Sequence, residues 1–489
     1  MLNELTYMKY VPFYITLFIF SIIGVLAAIA AVFPQDGLTI GQATLRYPTL
    51  TQMFEQDTTL KESPLSPEEL LAQRATQMRI QEEQEFLDFF RSNEARIQFP
   101  LKDGAIDYTY LDSFYYALNH ADSNAVRVVH YGDSQIEEDR ISVVLRRNLQ
   151  QKFGGMGIGI VPLYQTVQSI TEGIKTSQEP KRYMVFGSKS MRREGSKRYG
   201  PMGQTAVIDT TISITFQPRS KQTGVYSAHY FNQATLLTGG GNINIQWKGQ
   251  KGTVRNDGSA MQITNLIVPD STTNLTITLS GHGDIYGISL SGETGVNVDN
   301  IPMRGCSGTI FSGIDSKQLS TYFSATNTRL IIMQFGGNSM PYIKTQAQAD
   351  KYIGTLLTQV KYMQRQAPQA QILFIGPSDM TTRLQGKMQT YPILPYFDEA
   401  LSTALTEQAG VAYWSLFEAM GGVGAMSTWV RSGYAASDYI HFTRKGAYQV
   451  GEILCDALLT GYNYYTWREK DKQPIEYLNP DSTNMLQEK

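Results

Sequence analysis

Two cysteines, Cys306 and Cys455, are all that the 489 residues contain. Neither a disulfide framework nor a cysteine-spaced metal site can be built from them. Histidine is scarce as well, at five: His120, His130, His229, His282 and His441. No charge of one sign dominates. The formal net charge is −2, so no basic field draws the chain to nucleic acid. The glycine-rich stretch 154–159 lacks the Lys-Ser/Thr of a phosphate loop and reads as close backbone packing. Internal repeats and low-complexity tracts are missing too. What is present is an ordinary globular composition, 42% hydrophobic and 18% charged. At roughly 100–200 residues per domain, the length suggests about two or three domains.

The first 33 residues stand apart. Positions 11–33 hold no charged residue. At 1.5 Å per residue such a helix spans roughly 34 Å, enough to cross a bilayer core. The competing reading is a cleaved signal peptide, whose apolar region is usually about 7–15 residues; Ala27, Ala28, Ala30 and Ala31 suggest a cleavage site only weakly. The expectation is a cytoplasmic leader (1–10), then a single-pass anchor (11–33) in the cytoplasmic membrane. Lys9 marks the cytoplasmic side, which leaves the rest facing the periplasm or outside. Residues 34–105 read as a polar linker and a helical stalk. In the stalk Ser66 caps, Pro67 takes the first helical position and Glu69 closes a capping box, with a helix expected to about residue 91.

Three further segments follow. In 106–165, the apolar run AVRVVH (125–130) predicts a buried strand ending at Gly132-Asp133-Ser134. In 166–284, TISITFQP, NINIQWKG, MQITNLIV and NLTITLSG alternate or carry β-branched residues and predict an inserted β-sandwich. Its aromatic residues Trp247, Tyr226 and Tyr230 are either core or sugar platforms. In 285–468, strands are expected at 330–335 (LIIMQF), 371–375 and 411–416. Helices are expected at 346–366, 395–408 and 446–459. Strand alternating with helix argues for a mostly parallel sheet wrapped by helices. The tail, 469–489, is polar.

Nucleophilic acyl transfer by a serine needs a base, an acid that orients the base, and donors for the oxyanion. Among the five histidines only His441 has a carboxylate three residues before it, Asp438, and one loop can present both. Ser134 lies just past a strand, where a parallel sheet exposes residues at its carboxyl end. Gly308 sits in a small-residue turn (Arg304-Gly305-Cys306-Ser307-Gly308-Thr309) whose N–H can face a ligand, with Gly305 as a substitute. Asn338 follows a strand in Gly336-Gly337-Asn338 and offers an amide donor. Asp379 is a rival for the acid role. His130 is expected to be a buried, hydrogen-bonded residue rather than a second base, and Asp133 a turn former.

The order GDS, glycine turn, GGN, DxxH resembles the SGNH (GDSL-type) hydrolase superfamily over about 106–165 and 285–465. Ser134 matches its nucleophile, Gly308 and Asn338 its oxyanion residues, and Asp438 and His441 the rest of its triad. The third block reads Gly-Gly-Asn-Ser, where many members carry Asp after Asn. The β insert together with HYGDSQ and HFT is similar to peptidoglycan O-acetylesterases. The resemblance implies an α/β fold: a flavodoxin-like three-layer α/β/α SGNH domain with an inserted β-sandwich, here preceded by the expected transmembrane helix. It implies no cofactor and no metal. The partner it implies is an acetylated glycan; the apolar run at 11–33 adds the membrane, through the N-terminal helix. The resemblance further implies serine-esterase removal of O-acetyl groups from a peptidoglycan-like envelope glycan. Two alternatives stay open. One is glycan O-acetyl transfer with a membrane acyltransferase partner. The other is a non-catalytic glycan-binding protein.

Overall fold

A computed structural model describes residues 2–34, 37–40, 43–49, 66–91, 97–193, 195–219, 229–270 and 272–470. The chain divides into two compact units, 1–81 and 82–489. Most of the expected linker and all of the tail after residue 470 lie outside the described residues.

In the first unit, residues Leu2–Val32 are helical. Side chains are described only from Thr16 onward, so the start of the expected span, 11–15, lies outside them. Among the described residues no helix is long and apolar enough to cross a membrane. The transmembrane anchor expected at 11–33 is therefore not supported. A short antiparallel pair, Leu38–Ile40 with Ala43–Leu45, follows. The helix Pro67–Arg91 begins with the expected reciprocal cap. The Ser66 N–H donates to Glu69 Oε2 at 2.7 Å, and the Glu69 N–H to Ser66 Oγ at 3.2 Å.

In the second unit, five described strands run parallel: Val296–Pro302, Val126–Gly132, Thr328–Gln334, Gln371–Ile375 and Ala412–Trp414, in that spatial order. Ile97–Gln98 adds antiparallel at the far edge. Numbered along the chain, the parallel order is 2-1-3-4-5, that of a flavodoxin-like doubly wound sheet. Successive side chains point to opposite faces. Val128, Leu330 and Leu373 pack with Val144 of the helix Ser142–Phe153 and Leu454 of the helix Arg444–Lys470. Val129, Ile331 and Phe374 pack on the other side with Phe323, Leu356 and Leu401. Those three come from the helices Ser316–Ala325, Gln346–Gln366 and Leu394–Thr403. Helices therefore cover both faces. Burial of both faces is why the central strands read as continuous apolar runs. Each such Val, Leu, Ile or Phe contributes about 1.5–3 kcal/mol by leaving water.

The strand Val296–Pro302 had no apolar signature, because it carries Asn297, Asp299 and Asn300. Asp299 is fully buried but fully engaged. Arg127 Nη1 donates to it at 2.5 Å, the Ile160 N–H at 2.9 Å, and the Tyr322 hydroxyl donates as well. Between the helix Ser142–Phe153 and this strand, nine described strands from Gly157 to Ser291 form one antiparallel sheet. Its spine is Gln233–Trp247 paired with Leu275–Ser291, with a bulge between Leu237 and Gly241. Gly241 has φ +140°, and a Cβ there would meet the His282 carbonyl at 2.2 Å. Trp247 is buried and donates to the Ile267 carbonyl, as a core residue does; Tyr230 is exposed, and Tyr226 lies outside the described residues.

Candidate active site

In an open parallel sheet, ligands bind beyond the carboxyl ends of the strands where the order reverses. Here that point lies between Val126–Gly132 and Thr328–Gln334. Past the first of these, Asp133 caps a short 3-10 helix, Ser134–Asp139, by accepting the Gln135 N–H at 2.9 Å. Ser134 thereby stands at the top of the sheet. Its Oγ lies 2.9 Å from His441 Nε2, across 307 positions of chain.

His441 is held by its own turn. Asp438 Oδ2 lies 2.8 Å from His441 Nδ1, while Oδ1 accepts the Ile440 and His441 N–H groups at 2.9 and 3.0 Å. Burial works to raise the Asp438 carboxyl, but these hydrogen bonds outweigh it and hold it below the usual aspartate range. An ionised carboxylate only accepts, so Nδ1 carries the proton and Nε2 is left to accept from Ser134. Asp379, the rival acid, instead accepts the Met426 N–H at 2.7 Å. His130 is fully buried between Gln334 Oε1 and Ser142 Oγ, and burial pushes it down to about 4.

Two residues beside the serine dock the histidine loop, and the sequence reading missed both. Gln135 donates its side-chain amide to the Ile440 carbonyl at 2.7 Å. Arg140 donates to the Phe442 carbonyl at 3.0 Å and to the Ser134 carbonyl at 2.6 Å. No local pattern marks either one; the only signal was their closeness in sequence to Ser134.

Asn338 lines the same cavity as Ser134 and His441. Its Nδ2 donates to Asp133 Oδ2 at 2.9 Å and to the Cys306 carbonyl at 3.1 Å. Asp133 is thus more than a turn former, because it also orients Asn338. Burial raises its carboxyl to about 6, against opposing hydrogen bonds from Gln135 and Asn338 and the charges of His441 and Arg140. Gly308 does not line the cavity; its N–H faces Cys306 Sγ at 3.3 Å. Its φ of +78° and the closeness of Phe335, 2.8 Å from a would-be Cβ, require glycine there. Gly305 is exposed and open. Cys306 and Cys455 are both free and buried, and burial pushes the Cys306 thiol up to about 11, which removes it as a rival nucleophile.

The cavity holds about 220 Å³ and is walled by Phe335, Pro341, Tyr342, Pro377, Met380 and Ile440. Sites for drug-sized ligands run about 300–1,000 Å³, so this one suits a small acyl group. Among the described residues no cluster of His, Cys, Asp or Glu could hold a metal ion. A serine, a base with a free nitrogen and an orienting carboxylate, beside an amide donor, can carry out acyl transfer.

No protein-family model and no curated protein matches this chain. Among solved structures, a peptidoglycan O-acetylesterase is similar over 73% of this chain and 97% of its own, at 19% identity and a TM-score of 0.60. The likeness defines the class of fold: the chain has an SGNH hydrolase-like fold. A family two carbohydrate esterase from Cellvibrio japonicus is 12% identical over 60% of this chain and 99% of its own, at a TM-score of 0.25. The periplasmic domain of a lipopolysaccharide acetyltransferase from Salmonella ser. Paratyphi A is 10% identical over 34% and 72%, at 0.24. These two are too loosely similar to carry any argument.

Proposed function

We propose that this chain is a serine esterase that removes O-acetyl groups from a cell-envelope glycan through an acetyl-enzyme on Ser134. The supporting observation is the unbroken chain of hydrogen bonds from Ser134 through His441 to Asp438 at the mouth of a small cavity. Ser134 Oγ attacks the acetyl carbonyl carbon while its proton passes to His441 Nε2. The negative charge that builds on the carbonyl oxygen is met by Asn338 Nδ2, by the Gly308 N–H once it gives up its contact with Cys306 Sγ, and by the Ser134 N–H. The last opens a helix whose first N–H groups have no partner within it. The C–O bond to the sugar breaks, and His441 returns the proton to the departing hydroxyl. Water, deprotonated by the same nitrogen, then releases acetate. The cavity size supports acetyl over longer acyl groups, and the glycan rests on likeness to the O-acetylesterase fold. The place of action on this reading is the cell envelope, outside the cytoplasm.

The test is incubation of the chain with an O-acetylated peptidoglycan-type glycan, counting free acetate and acetylated products together. Acetate released one for one with lost ester, and abolished by Ser134→Ala, supports the esterase. Ester moved to another sugar hydroxyl without free acetate would replace it with a transferase.

A further inference from the structure

A second cavity, of about 770 Å³, opens at the opposite end of the parallel sheet. Val126 and Arg127 line it from the start of their strand, whereas Ser134 follows the end of that strand. Seven residues of strand at about 3.3 Å each put the two cavities roughly 20 Å apart. The wall is shared: Asn124, Asn327 and Arg329 come from the α/β part, and Gln233, Thr235 and Asn265 from the antiparallel sheet. A cavity of this size between two packed sheets is dry and costly if apolar, yet this one is furnished with amides and hydroxyls.

Arg127 is the second observation. It is 3% exposed and lines the cavity. Nη1 donates to Asp299 at 2.5 Å and Nη2 to Ser289 Oγ at 3.2 Å, but Nε–H has no partner. With both Nη groups held, Arg127 forms a fixed polar part of the lining. At the rim, Tyr116 is 58% exposed and its ring lies 4.3 Å from that of His120, inclined by 35°. An exposed ring pair of this kind offers an apolar face to the C–H side of a sugar.

The charges select against an anion. Arg127 is neutralised by Asp299, and Glu293 in the wall offsets Arg329. No net positive field is left to favour phosphate. Amides and hydroxyls that both donate and accept, together with an exposed ring, fit a neutral, hydroxyl-rich ligand. We propose that this cavity is a second binding site, for a neutral saccharide segment of about two or three sugars, separate from the catalytic cavity. Holding one part of a polymer there would raise the effective concentration of the rest near the surface that carries Ser134. The choice of sugar probe rests on the glycan reading above, but the binding measurement does not depend on Ser134.

The experiment is calorimetric titration of the full chain with N-acetylglucosamine oligomers of two to six sugars. It is run before and after Ser134 is blocked with phenylmethylsulfonyl fluoride. The expected result is binding that survives the block and falls at least tenfold in Tyr116→Ala. It should also fall in Ser113→Trp, which puts a bulky ring at an exposed position of the wall. Thermal unfolding of each variant confirms that it is folded. Absence of binding, binding abolished by the Ser134 block, or binding unchanged in both variants would overturn the second site. None of these outcomes would bear on ester hydrolysis, which is scored separately by acetate release. Inorganic phosphate is the counter-probe; if it binds and the oligomers do not, the site is an anion site and the saccharide proposal is lost.

Discussion

The two halves of the candidate active site stand in different states. On the base side, Ser134, His441 and Asp438 are already joined at 2.9 and 2.8 Å, with the His441 and Asp438 side chains 39% and 47% exposed. On the oxyanion side, both hydrogens of Asn338 Nδ2 are engaged, by Asp133 and the Cys306 carbonyl, and the Gly308 N–H faces Cys306 Sγ. One residue, Cys306, therefore occupies both expected donors. Sulfur is a weak acceptor, and catalytic hydrogen bonds often tighten only when substrate is bound. On the proposed mechanism the nucleophile is assembled in advance, whereas the donors must exchange one partner for the developing oxyanion.

That contrast orders the expected effects. Ser134→Ala or His441→Ala removes the assembled half and should lower kcat by about 10⁴-fold or more. Steady-state kinetics on p-nitrophenyl acetate measures this, and near-normal turnover in a folded Ser134→Ala protein would end the triad assignment. Asn338→Ala should cost about 10²–10³ in kcat with little change in KM, because its bond to the oxyanion strengthens only in the transition state. A rise in KM alone would make Asn338 a substrate-binding residue and leave the oxyanion half without its side-chain donor.

The smallest effect concerns Asp133, which orients that donor from below. Its carboxyl is raised to about 6 by burial, against hydrogen bonds from Gln135 and Asn338 and the charges of His441 and Arg140. Folding thus favours the protonated acid. The stabilisation is full below the ordinary aspartate range near 4 and is lost as pH rises through about 6. The difference is about 3 kcal/mol at most. Asp133→Asn cannot lose a proton, so its Tm relative to the parent should climb between pH 4 and 6. His130 titrates in the opposite sense, pushed down to about 4 by its burial, but both proteins share it and it drops out of the comparison. A flat difference across that range would mean that Asp133 keeps one protonation state.

Local pattern made much of this legible. The capping box at Ser66 and Glu69, the strand at 371–375 and the helix at 346–366 follow from spacing alone, since caps and side-chain periods are properties of adjacent residues. The Asp438–His441 pairing was legible for the same reason, as one turn closes it. The strand Val296–Pro302 was not, because its buried Asp299 is satisfied by Arg127 and Tyr322 from elsewhere in the chain. The helix over 446–459 proved longer, Arg444–Lys470, because its last turns are held by packing. Tyr464 and Tyr465 are buried there, and Arg468 pairs with Asp112.

By itself the sequence determined which residue types are available for acyl transfer, their order, and which short stretches become strands and helices. These depend on side-chain chemistry and on neighbours within one turn. Only the tertiary structure decided that His441 reaches Ser134 across 307 positions, that Asp133 orients Asn338 across 205, and that Asn338 also meets the Cys306 carbonyl across 32. It also decided that a polar cavity opens at the far end of the sheet. Each of these requires segments distant in sequence to meet within hydrogen-bond reach. That closeness is set by the packing of two sheets and their helices, which no local pattern encodes.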